Sequence, residues 1–191
     1  SFAKPIKKNI NKKKAPKAKT IFFSKRFNRW ALIFPVIDRY IVMKSSKNVD
    51  GYGENFNFKL YTLQKSLFSL ILLISGILSL SVLAKFKPFK KLLLSIIPSG
   101  TGPTKEKREK HWFEVSIIGK STDREVCTTI SGGDPGYEET AKFISEIALC
   151  ILNQNNQLIK KHGILTLVEC TGDLMLQRLK AAGISITLSS K

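Results

Sequence analysis

The longest apolar stretch in the chain, Ser66 to Ala84, reads SLFSLILLISGILSLSVLA with no charged residue between Lys65 and Lys85. At about 1.5 Å per residue a helix of this length reaches roughly 28 Å, close to the ~30 Å hydrocarbon thickness of a bilayer. There is no period-two alternation and no continuous polar face, so neither a strand nor an ordinary amphipathic helix fits. The five serines in it can bond back onto helix carbonyls and so cost little in lipid. Lys59, Lys65, Lys85, Lys87, Lys90 and Lys91 bracket it, placed to snorkel toward headgroup phosphates. A membrane-associated helix is expected here, with Leu67, Leu70, Leu73, Ile77 and Leu80 among its lipid-side residues. A buried core helix is the alternative.

Other segments show their own periods. Residues 36 to 45 suit a short helix, and Phe56, Phe58 and Leu60 alternate as a strand would. After the long helix, KFKPFKKLLLSIIP is a second apolar piece broken by Pro88 and too short to cross alone. Phe113, Val115 and Ile117 alternate, as do Val126, Thr128 and Ile130, and Gly119 to Asp123 read as the turn of an antiparallel hairpin. Ala141, Ile144, Ala148 and Ile151 repeat at helical spacing, which predicts a helix from about Glu138 to Asn153. Glu138 and Glu139 complement its N-terminal dipole. Residues 164 to 168 are expected as a strand. Thr171 is expected to cap a helix through Ala182, with Gly183 as its stop and 184 to 188 as a closing strand. The order predicts an α+β domain with a small, mixed, largely antiparallel sheet and helices on one face. The expected division is a basic disordered arm over 1–19, an aromatic and basic segment over 20–65, a hydrophobic membrane-associated segment over 66–98 and an α+β domain over 99–191.

Charge sharpens this division. The 191 residues carry 32 Lys and Arg against 14 acids, a net +18, and all of the excess lies in the first 111 residues. Lysine clusters in the arm attract nucleic-acid phosphate, anionic lipid or nuclear import machinery alike, because they read charge and not sequence. The interleaved Phe22, Phe23, Lys25, Arg26, Phe27, Arg29 and Trp30 could stack bases or sit at a membrane interface. The neighbouring apolar helix favours the membrane, and no RRM, KH or zinc-finger pattern supports specific nucleic-acid binding. The chain starts SFAKPIKKN, without Met or an apolar signal segment, and is expected to be a piece of a longer protein.

Chemistry is sparse. Cys127, Cys150 and Cys170 have no CxxC or Cys/His metal spacing and are expected as free, mostly buried thiols in a reducing compartment; no metal site is expected. The loop Ser131-Gly132-Gly133-Asp134-Pro135-Gly136-Tyr137 sits between a strand and a helix, where phosphates are often cradled. It matches neither GxGxxG nor Walker A, and Asp134 puts a negative charge where a phosphate would come; a conformationally demanding turn is the expectation. His111 and His162 lack a partner close in sequence and are expected at the surface. No catalytic residue is assigned.

A string of short motifs nonetheless resembles one family. Ile33-Phe34-Pro35 with Asp38 and Val42, then Gly102-Pro103-Thr104, then Asp134-Pro135-Gly136-Tyr137 with Thr140-Ala141, Gly163-Ile164-Leu165-Thr166, Leu176-Gln177-Arg178-Leu179 and Gly183-Ile184, resemble the C-terminal part of the saccharopine dehydrogenase-like oxidoreductases. The resemblance implies an NAD(P)-binding Rossmann half absent from these residues and an α+β domain that helps build the cleft and a homo-oligomer contact. It also implies association with intracellular membranes or lipid droplets, the soluble part being cytoplasmic. No GxGxxG occurs, so no cofactor is expected to bind these residues alone, and Leu167 stands where the family usually has Pro. Asp38, Tyr137 and Thr140 are the substrate-cleft candidates. The expected function is the C-terminal portion of such an oxidoreductase, with a non-catalytic membrane-surface or lipid-droplet adaptor as the alternative and a basic nucleic-acid binder behind it.

Overall fold

The structure, a computed structural model, describes residues 19–53, 55–96, 100–121, 124–153, 158 and 163–190. The chain is α+β, with two three-stranded antiparallel sheets and seven helices among the described residues. It divides into two compact units, residues 1–101 and 102–191. The basic arm through residue 18, Pro98 and His162 lie outside the described residues.

The first unit is built on strands β1 (Ile21–Ser24), β2 (Arg29–Ile33) and β3 (Tyr61–Gln64), with β2 in the middle and its Ala31 buried. Residues 21–33 of the aromatic and basic segment therefore form a hairpin. Asn28 takes a positive φ of 49° at the end of its turn, a conformation that Asn accepts more readily than most residues. Phe23 and Trp30 face each other across β1 and β2 with ring centroids 5.6 Å apart, and Phe22 meets Tyr61 edge-on at 5.2 Å. The first is a direct cross-strand pair, the unit of sheet stabilisation, and the second joins the two outer strands across β2.

Helix α1 (Asp38–Asn48) falls where the sequence predicts it. The strand expected over Phe56 to Leu60 does not form. Gly51 and Gly53 hold positive φ, and Tyr52 packs on Phe56 at 4.8 Å in an irregular loop. Pairing toward β2 begins only where Leu60 O accepts from Phe34 N–H.

Helix α2 (Leu67–Leu83) starts at a reciprocal cap: Ser69 N–H donates to Ser66 Oγ at 3.1 Å, and Ser66 N–H donates to Ser69 Oγ at 3.2 Å. Ser75 and Ser81 donate their hydroxyls to Leu72 O and Ile77 O, the back-bonding the sequence reading anticipates. Its 17 residues reach about 26 Å, and no single described helix is long and apolar enough to cross a membrane. Helix α3 (Lys87–Ile96) follows a three-residue break at a bend of 114°, and only the bent pair together has the length and composition for a span. Pro88 does not break this second helix. It sits in the first turn, where its missing N–H costs nothing.

The alternative of a buried core helix does not describe α2. It packs against β2 and β3, but Leu70 is its one buried residue. Leu67, Ile77 and Leu80 are exposed, Leu73 is half-buried, and Phe68 is 76% exposed. Helix α3 has no buried residue at all, and its Phe89, Leu92, Leu93 and Ile96 repeat at helical spacing opposite Lys87, Lys90 and Lys91.

The second unit opens with the short helix α4 (Lys105–Arg108) and the hairpin of β4 (Phe113–Lys120) and β5 (Glu125–Gly132). Lys120 and Glu125 face each other at its mouth, 2.8 Å apart. Strand β6 (Ser185–Ser190) completes the sheet on the other side of β5. Helix α5 (Glu138–Asn153) matches the expected span, and it packs against α7 (Leu174–Ala181) with Arg178 Nη2 2.6 Å from Glu146 Oε2. Cys127, Cys150, Met175 and Ile184 are buried, and all three cysteines are free thiols.

The strand expected over 164 to 168 is replaced by helix α6 (Leu167–Thr171). Thr166 is its N-cap, and Glu169 Oε2 accepts the Thr166 N–H at 2.8 Å. Thr171 is not the cap of the following helix. Its hydroxyl donates back to Leu167 O inside α6, and Asp173 precedes α7 instead. Gly183 does stop α7, at φ 91°.

Candidate functional site

The loop from Ser131 to Tyr137 carries β5 into α5 and is organised by two carboxylates. Asp134 Oδ2 accepts the backbone N–H of Tyr137 at 2.7 Å and of Glu138 at 3.4 Å, which caps the first turn of α5. Glu139 Oε1 reaches back to the N–H of Gly133 at 3.0 Å, and its Oε2 lies 2.7 Å from Lys142 Nζ. The N–H groups that a phosphate would use are thus donated to the chain's own side chains. A demanding backbone is not what the glycines supply, because none of Gly132, Gly133 and Gly136 has positive φ. Gly132 is there for space: a Cβ on it would lie 2.7 Å from the Phe113 ring and 3.3 Å from both Glu139 and Ile184.

His111 is exposed, as expected, and the fold brings it a carboxylate partner 23 positions away in the chain. Its Nδ1 lies 2.9 Å from Asp134 Oδ1, with Asp134 almost fully buried and the imidazole about half exposed at 52%. Burial pushes the Asp134 carboxyl up. The hydrogen bonds from His111 and from the backbone N–H groups of Tyr137 and Glu138 outweigh that and hold it below the ordinary carboxylate value. His111 and Asp134 line an open depression of about 470 Å³ together with Pro103, Lys110, Trp112, Pro135, Gly136 and Tyr137. Arg108 fixes the rim, donating to Pro103 O at 3.0 Å and pairing with Glu138 at 3.3 Å.

Of the cleft candidates, Tyr137 and Thr140 both belong to the second unit. Tyr137 is half exposed at the depression, and its ring lies so close to Gly102 that a Cβ there would approach to 3.0 Å. Thr140 donates its hydroxyl to Pro135 O and so holds the loop. Asp38 is exposed in the first turn of α1, in the first unit, where its charge complements the helix dipole. Sequence reasoning missed Lys110, Trp112 and the pairing of His111 with Asp134. An Asp-Pro placed ahead of a helix start does signal a cap, but nothing in the spacing points to His111. No cluster of His, Cys, Asp or Glu suited to a metal ion occurs among the described residues.

The class of protein this chain is similar to is that of oxidoreductases. A protein of Arabidopsis thaliana named as a mitochondrial saccharopine dehydrogenase-like oxidoreductase is 27% identical over 92% of this chain and 48% of its own length. A protein of Mycobacterium tuberculosis named as a trans-acting enoyl reductase is 32% identical over 50% of this chain and 23% of its own length, in each of two strains. The chain therefore spans about half, or less, of the length of these relatives. No family model matches it, and no solved structure is significantly similar. The weak homology to a saccharopine dehydrogenase-like oxidoreductase agrees with the family that the short motifs resemble.

Proposed function

We propose that these residues form the C-terminal portion of a saccharopine dehydrogenase-like, NAD(P)-linked oxidoreductase, supplying its substrate and oligomerisation domain and its membrane anchor. The observation that carries this is the similarity to the plant oxidoreductase along nearly the whole chain. On this reading the dinucleotide is held by a Rossmann fold outside the 191 residues, Tyr137 is the second unit's donor toward substrate, and Asp38 is the first unit's candidate. Thr140 keeps Tyr137 in place through the loop bond to Pro135 O.

The membrane part of the proposal rests on the exposed apolar residues of α2 and α3 and the 114° bend between them. A patch of this kind is rare on a water-facing monomer. Basic residues are dense on both flanks, so both prefer the same cytoplasmic side. The bent pair then enters a single leaflet or a lipid-droplet monolayer, with α3 lying along the surface and its lysines among the headgroups. The same observation favours a second reading, a non-catalytic membrane-surface adaptor.

The first of two experiments tests the lack of a cofactor site that both readings share, and the second decides between them. Calorimetry of the 191-residue chain with NADH and NADPH is expected to show no saturable binding, and the coding sequence upstream of Ser1 is expected to encode a strand, GxGxxG and a helix. An upstream sequence without that motif overturns the oxidoreductase reading and leaves the adaptor.

A further inference from the structure

The corner where Lys110 to Trp112 meets the Asp134 loop has a chemistry of its own, independent of any dinucleotide reaction. Asp134 is 3% exposed, and its Oδ2 is committed to the N–H groups of Tyr137 and Glu138, which leaves Oδ1 for His111. An ionised carboxylate only accepts, so Nδ1 of His111 donates to it and Nε2 is the nitrogen left for another partner. That second nitrogen has no partner among the described residues, and the imidazole is open to the depression. Two exposed aromatic residues line the same depression, Trp112 at 71% and Tyr137 at 51%, together with Pro103 and Pro135. The charged groups around the imidazole are Asp134, Lys110 and the Arg108–Glu138 pair. Arg108 is committed to Glu138, and among the described residues that line the depression Lys110 is the cation placed to meet an incoming charge.

We infer that this depression binds an aromatic monocarboxylate, its ring against Trp112 and Tyr137 and its carboxylate held by His111 Nε2 and Lys110 Nζ. A carboxylate is an acceptor only, so in the complex Nε2 donates to it while Nδ1 donates to Asp134, and the ring lies between two carboxylates, Asp134 behind and the ligand in front. Asp134 is the positioning residue; His111, Lys110 and Trp112 touch the ligand.

The test titrates the full chain with 2-naphthoate by calorimetry. Saturable one-to-one binding is expected. His111→Gln is expected to weaken binding about tenfold, the loss of one charge-assisted hydrogen bond. Trp112→Ala is expected to weaken binding by about the same factor, and cyclohexanecarboxylate to bind more weakly than the naphthoate. His111 and Trp112 are both largely exposed, and unchanged circular dichroism confirms that the fold survives. Absence of saturable binding to the native chain overturns the inference. So does a His111→Gln chain that binds as tightly as the native one.

Discussion

Nδ1 of His111 sits 2.9 Å from Oδ1 of Asp134, a residue 23 positions further along the chain. The contact pins the segment that leads into β4 to the loop that starts α5, and the same Asp134 carboxylate caps that helix through its other oxygen. One buried side chain thereby serves two elements.

That arrangement makes the second unit sensitive to acid. The folded Asp134 titrates below its unfolded value, so its stabilisation is complete above the ordinary carboxylate range near pH 4 and is lost as pH falls through the lower folded value. Thermal midpoints measured from about pH 7 to pH 2.5 should drop in the native chain. Asp134→Asn should start lower at neutral pH and show a shallower drop.

Gly132→Ala should destabilise by about 1–3 kcal/mol, because the new methyl meets Phe113, Glu139 and Ile184 at once and Phe113 itself meets Phe143 edge-on. Gly119→Ala on the neighbouring strand is the control, since its nearest contact would be the Val126 carbonyl at 3.9 Å. Urea unfolding should separate the two substitutions clearly, with Gly119→Ala close to neutral.

Glu169→Ala should cost about 1–3 kcal/mol. It removes the carboxylate that accepts the Thr166 N–H at 2.8 Å and leaves a part-buried donor unsatisfied. Chemical denaturation measures this directly, and Glu169→Gln, which keeps an acceptor, should recover most of the loss.

Much of the second unit was legible in the sequence. The alternation over Phe113–Ile117 and Val126–Ile130 and the helical repeat from Ala141 to Ile151 are strong periodic signals, and the hairpin and α5 follow them. Short apolar runs are ambiguous between strand and helix, which is why residues 164 to 168 read as a strand. The decisive clue, Thr166 followed three positions later by Glu169, was present as a capping-box spacing. At Thr171 the competing fact is a side chain that bonds back into its own helix. The site was less legible. Asp134 stood out against a phosphate, but its meeting with His111 depends on the register in which β4 pairs with β5, which the alternation alone leaves open.

Leu70 and Leu72 make a paired test of the apolar helix. Leu70 is 1% exposed, so Leu70→Ala should cost about 2–5 kcal/mol in unfolding experiments. Leu72 is 62% exposed, so Leu72→Asp should leave the fold unchanged while reducing sedimentation with anionic vesicles several-fold. Vesicle binding unaffected by Leu72→Asp would remove this helix from the lipid contact.

The central position of β5 also dictates an order of assembly. Its partner β4 is reached through a short turn, whereas Thr129 meets Thr187 of β6 across 58 positions of chain. Closing that long loop costs more chain entropy than closing the hairpin, and non-local pairings of this kind slow folding. The β4–β5 hairpin and the cap on α5 can therefore form early during synthesis, while the outer edge of β5 stays unpaired until residues 185–190 have left the ribosome. For that interval the nascent chain exposes an edge able to accept a foreign strand.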